Sequence, residues 1–148
     1  MADGYNPAAY EGSRRTIEYD YNRNAANNAY GRFLSQQRGS RQLGDMSRQY
    51  NQAYPNYRAS FGQRGLGGPG VNSGVQRNAM QRFVGDYTRD YGRAQQDMNM
   101  ELQQYDLGDQ QLDQWRQGAL ADLELQRQNE IAQAAANIAA LRQYLGGV

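Results

Sequence analysis

The chain contains no cysteine, no histidine and no lysine; all 16 basic residues are arginine. Without cysteine there are no disulfides, no thiolate nucleophile and no sulfur-based zinc site. Without histidine the commonest general base and the commonest transition-metal ligand are missing. Without lysine there is no Schiff-base chemistry and no phosphate-loop lysine. An enzyme built from this alphabet would work with carboxylates, hydroxyls and arginine alone. The expectation is a non-enzymatic protein with no cofactor and no metal.

Large apolar residues are also scarce. Leu, Ile, Val and Phe number 21 of 148, or 14%, below the roughly 20% at which a chain struggles to bury a core of its own. The longest uninterrupted apolar run, Ile138 to Leu141, is far short of the about 20 residues of a membrane span. No span is expected, and Met1 to Arg15 lacks the apolar run of a signal peptide. In their place stand 20 Gln, 12 Asn, 12 Tyr and 17 Gly. The formal net charge of +1 gives no global pull toward nucleic acid. The halves differ: residues 1–74 carry nine Arg against five acids, and residues 75–148 seven against ten. They can therefore attract each other, or their counterparts in a second copy.

Turn and cap signals divide the chain. Residues 1–12, punctuated by Gly4, Asn6, Pro7 and Gly12, read as an extended tail. Residues 13–61 form a first helical region, capped by Ser13 and broken or kinked near Pro55. Gly31, Gly39 and Gly44 weaken it. Tyr50, Tyr54, Tyr57 and Phe61 recur at helical intervals and predict an aromatic stripe across the proline. Residues 62–74, with six glycines and Pro69, read as a reversing loop. Ser73 and Gln76 then make a capping box. From 75 to 148 the sequence reads as one long helix that stops at Gly146-Gly147. Ser73 to Leu145 would extend about 110 Å at ~1.5 Å per residue.

A stripe can be followed along that helix: Val84, Tyr87, Tyr91, Ala94, Met98, Leu102, Tyr105, Asp109, Leu112, Arg116, Ala119, Leu123, Arg127, Ile131, Ala134, Ile138, Leu141, Leu145. Its 61 residues in 17 steps average 3.59, close to a straight helix rather than a strict heptad coil. Gly85, Gly92, Gly108 and Gly118 are weak points or close-packing positions. The predicted fold class is all-α: a long helical hairpin or extended helix pair with a Gly-rich connecting loop, oligomerising, with no sheet. The first helix can cover about half of the stripe. Apolar surface left in water costs roughly 25 cal/mol per Å², so the remainder is expected to meet a second copy or another protein. The expected assembly face is Tyr87, Tyr91, Met98, Leu102, Leu112, Leu123, Ile131, Ile138 and Leu141.

Several clusters invite chemical readings. Asp106, Asp109 and Asp113 share a helix face and could hold a divalent cation. No glycine-turned calcium loop accompanies them, which favours a solvated or arginine-paired face. Arginine and tyrosine interleave at Tyr10, Arg14, Arg15, Tyr19, Tyr21, Arg23, Tyr30 and Arg32. Single-stranded nucleic acid is held this way, and Arg14, Arg15, Arg23 and Arg32 are the candidate DNA contacts. Protein contacts draw on the same residues and are the favoured reading. Arg64 to Gly70 is glycine-rich but lacks the Gly-Lys-Ser/Thr ending of a phosphate loop. Ile131 to Leu145 is alanine-rich with Arg142 its only charge; it suits a close helix–helix contact better than a lipid surface. Asp20-Tyr21-Asn22-Arg23 echoes Asp86-Tyr87-Thr88-Arg89, and Tyr30-Gly31-Arg32 echoes Tyr91-Gly92-Arg93; if the echo is real, two related helices pack as a hairpin. The Gln/Asn/Tyr/Gly richness also suits a disordered, condensate-forming segment; the sustained period argues against that for residues 73–145.

The Arg64-Gly65-Leu66 turn, the Ser73-Gly74-Val75 restart and the long helix containing Ala119-Leu120-Ala121-Asp122-Leu123-Glu124 resemble small virion structural proteins of tailed bacteriophages, over about residues 58–145. That resemblance implies a head–tail or tail component, or an internal protein ejected with the genome. Its partners would be copies of itself and other virion proteins of the portal, neck or tail, with DNA contact as a further option. Its location would be the virion. No enzymatic residue carries over.

Overall fold

A computed structural model describes residues 6–65 and 74–146. Among these residues the chain is all-helical. It has two elements, α1 (Pro7–Gln63) and α2 (Gly74–Gly146), packed against each other, and no strand.

The start of α1 corrects the expected boundary. Residues 7–12 are helical rather than an extended tail. Asn6 supplies the cap: its Oδ1 accepts the backbone N–H of Ala8 at 3.1 Å and of Ala9 at 3.4 Å, satisfying donors that the first turn leaves unpaired. Pro7 occupies the first helical position, where its fixed φ fits and its missing N–H costs nothing. The reading of Ser13 as the cap overlooked this earlier Asn-Pro signal.

Helix α1 continues through Pro55; of the break or kink expected there, the break does not occur. The proline removes one backbone hydrogen bond, while Tyr54 and Tyr57 on either side are fixed by aromatic contacts. After Gln63 the chain leaves the helix at Gly65, whose φ of +74° suits glycine and whose N–H bonds to the Gly62 carbonyl at 3.1 Å. Residues 66–73, most of the expected loop and including Ser73 of the capping box, lie outside the described residues, as do residues 1–5 and Gly147 at the expected stop.

The chain divides into two compact units. One contains α1 up to Ala29 and α2 from Asp106 onward; the other spans Tyr30 to Tyr105. In each, the α1 and α2 segments run antiparallel. In the first unit, partners descend along α2 as α1 ascends: Tyr10 with Glu124, Glu18 with Arg116, Tyr21 with Asp113, Asn28 with Asp109. In the second, Ser35 meets Glu101, Ser47 meets Tyr87, and Tyr57 meets Phe83.

Seam chemistry differs between the units. The second is aromatic and closely approached. Tyr50 stacks on Tyr87 with ring centroids 4.1 Å apart, and Tyr57 on Phe83 at 4.8 Å. Phe61 meets Tyr57 edge-on at 5.3 Å. Gly31 and Gly39 let the helices come together: a Cβ at Gly31 would lie 2.8 Å from the Tyr105 ring, and one at Gly39 would lie 2.5 Å from Met98 Cγ and Sδ. These two glycines are packing positions rather than weak points. The two described residues that are buried, Ser35 at 1% exposure and Phe61 at 8%, both belong to this unit.

Candidate assembly surface

The stripe read from the sequence is the seam of α2. Tyr87, Tyr91, Ala94, Met98 and Leu102 are half-buried in the second unit, and Leu112, Arg116, Ala119, Leu123 and Arg127 in the first. Its first position needs correcting: Phe83 faces α1 through Tyr50, Tyr54 and Tyr57, while Val84 is exposed.

The polar interruptions of the stripe are seam members. Asp113 Oδ1 accepts the Tyr21 hydroxyl at 2.6 Å, and Asp109 Oδ1 accepts Asn28 Nδ2 at 2.5 Å. On the face expected to be solvated or arginine-paired, these two aspartates receive neutral donors from α1. Among the described residues no group of three or more His, Cys, Asp or Glu is placed to hold a metal ion.

Arg116 donates to Glu18 at 2.9 Å and carries its guanidinium carbon 4.7 Å from the Tyr21 ring centroid. The tyrosine–carboxylate bond and the arginine over the ring recur eleven residues along each helix, though the arginine's ion pair then falls on its own helix. Tyr10 donates to Glu124 at 3.0 Å, and Arg127 lies over the Tyr10 ring at 4.9 Å while its Nη1 bonds Glu124 at 3.3 Å. Eleven residues make almost three helical turns, so the tyrosine, the carboxylate and the arginine three residues beyond it return to the same faces.

These contacts move proton affinities. The Glu124 carboxylate holds the Tyr10 phenol proton and raises its pKa; Asp113 does the same to Tyr21. Reciprocally, the Tyr10 hydroxyl, backed by Arg127 and Gln128, lowers the pKa of Glu124. The Glu18 carboxylate raises that of Arg116. In the second unit, Ser35 Oγ donates to Glu101 Oε1 at 2.6 Å, with the Tyr105 hydroxyl at 3.4 Å. Four carboxylates of α2 thus receive neutral donors from α1. The charge difference between the halves did not foretell this, and the Glu18–Arg116 ion pair puts its acid on α1.

Past Glu130 the stripe emerges. The groove between the start of α1 (Asn6, Ala9, Tyr10) and α2 ends at Gln126, Arg127 and Glu130. Ile131 is 41% exposed, Ile138 51%, Leu141 60% and Leu145 73%. Of the nine expected assembly residues, then, six lie half-buried along the seam and three stand open.

The candidate DNA contacts Arg14, Arg15, Arg23 and Arg32 are all exposed. Arg14 and Arg23 project from opposite sides of α1, since nine residues at about 100° each make two and a half turns, while Arg14 and Arg32, eighteen apart, share a side. No helix of the described residues is long and apolar enough to cross a membrane. No protein-family model, curated protein or solved structure matches this chain.

Proposed function

We infer that the chain is a non-enzymatic virion structural protein of a tailed phage, assembling through α2 on the portal, neck or tail as several copies. One observation carries the reading: the stripe that α1 covers continues in phase into Ile131, Ile138, Leu141 and Leu145, which stand in water. A helix face of this kind is completed by another protein surface. The phage-like turn, restart and helix over about residues 58–145 supply the context. Sedimentation or mass photometry of the purified chain, alone and with virion proteins, tests it. Higher assemblies are expected; a monomer indifferent to those partners would overturn the reading.

A second reading rests on the exposure of Arg14, Arg15, Arg23 and Arg32 on α1. In it the protein is internal or ejected and touches DNA, by an electrostatic contact that weakens steeply with salt.

A further inference from the structure

We propose that the first part of α1, Pro7 to Ala29, is a displaceable strap over the assembly face of α2: it detaches from Asp106 to Arg127 while the Tyr30–Tyr105 unit stays closed. This inference rests on the reading of α2 as an assembly helix, whose hidden part it identifies.

The strap is fastened by groups that water can replace. Its contacts with α2 include the Tyr10–Glu124, Tyr21–Asp113 and Asn28–Asp109 hydrogen bonds, the Glu18–Arg116 ion pair, and the Arg116 and Arg127 guanidiniums over the Tyr21 and Tyr10 rings. Each such bond or part-exposed ion pair contributes modestly beside water, which takes over its groups when it opens. Apolar coverage by the strap is thin: Ile17 and Ala25 are its half-buried apolar positions besides the tyrosines. No described residue of this unit is buried, whereas Ser35 and Phe61 are buried in the other. There, stacked rings and the close approaches at Gly31 and Gly39 must be broken together for the helices to part, where the strap has one such approach, of Asn28 to Gly108. Segments with few buried apolar contacts and water-accessible polar ones open first.

What the strap uncovers is specific. Leu112, Ala119 and Leu123 lie beneath it on the stripe that Ile131, Ile138 and Leu141 continue in the open. The open end gives an incoming helix its first contact; release of the strap then lengthens the available face by about six turns of helix. The freed segment has lost its seam, and an isolated helix of about two dozen residues carrying Gly12 and four Asn is marginal in water, so release also loosens it.

Hydrogen–deuterium exchange of the full chain tests this. Amides of 10–29 and 109–127 are expected to exchange about tenfold or more faster than those of 46–61 and 80–98. The double variant Tyr10→Phe/Tyr21→Phe is expected to accelerate the first set several-fold and leave the second unchanged. Ser47→Ala, which loses the contact with Tyr87, is expected to affect only the second set. Equal protection of both sets, or equal acceleration of both by the tyrosine variant, overturns the strap. The exchange is measured on the protein alone. A chain that opens as described yet assembles with neither itself nor virion proteins retains the strap and loses the functional reading; one that assembles with uniform protection does the reverse.

Discussion

Tyr21 donates its hydroxyl to Asp113 at 2.6 Å, beneath a guanidinium from Arg116. Tyr10 repeats the relationship with Glu124 and Arg127. The first unit of the chain is thereby held by a ladder of phenol–carboxylate bonds in place of a greasy core. Its consequences are measurable.

Stability should be flat in the middle of the pH range and fall on both sides. Glu124 has a lowered folded-state pKa, so its contribution is present above the ordinary carboxylate value of about 4.3 and fades as acid protonates the folded state. Tyr10 and Tyr21 have raised values. Their contribution is complete below about pH 10, the ordinary phenol value, and is lost as pH climbs through the folded-state values. Denaturation curves across pH check both limbs. Glu124→Gln should flatten the acid limb, and Tyr10→Phe/Tyr21→Phe the alkaline one.

Two glycines of α1 should respond oppositely to alanine. At Gly44 nothing lies within 4 Å of an added Cβ, so Gly44→Ala should stabilise the chain by about 0.5–1 kcal/mol through helix propensity. At Gly39 the added atom would sit 2.5 Å from Met98 Cγ and 3.1 Å from its Cβ. The clash there lies near the Met98 backbone and cannot be relieved at the side-chain tip alone. Gly39→Ala should destabilise by about 1 kcal/mol or more, on the scale of an overpacked core. Denaturant midpoints of the two variants distinguish the cases.

Phe61, 8% exposed against Tyr57, should be the costliest apolar residue to truncate. Phe61→Ala is expected to lose about 2–4 kcal/mol, toward the lower end of the range for buried aromatics. In contrast, Ile138→Asp/Leu141→Asp replaces side chains that are already in water. Its effect on the free chain should stay within about 0.5 kcal/mol, while assembly is abolished.

The electrostatic reading makes its own demand. If DNA is met by residues among Arg14, Arg15, Arg23 and Arg32, affinity should fall log-linearly with salt, and each one that meets a phosphate should shallow the slope by about one when replaced by Gln. Negligible binding at low ionic strength removes that reading.

Much of this fold was legible in the sequence, for one reason. The period of half-buried positions survives the interruptions at Asp109, Arg116 and Arg127, so it traces α2 and its seam from Tyr87 onward even where the residue is charged. The aromatic run Tyr50, Tyr54, Tyr57, Phe61 was visible on the same grounds, and Pro55 did not break it because the flanking rings anchor both sides. The Tyr–carboxylate–Arg module was missed. Its signal was present in the elevenfold spacing of Tyr10 and Tyr21 against that of Asp113 and Glu124, but it links two helices, and hydropathy is read along one. Gly31 and Gly39 were misread because propensity describes a helix alone, whereas their role is set by Tyr105 and Met98 on the other helix.

The most direct test of assembly through α2 is mass photometry or sedimentation of the purified chain, alone and mixed with portal, neck and tail proteins, beside its Ile138→Asp/Leu141→Asp variant. Higher-order species that form with the native chain and vanish with the variant are the expected result. A native chain that remains monomeric in every mixture, or a variant that assembles equally well, would contradict it.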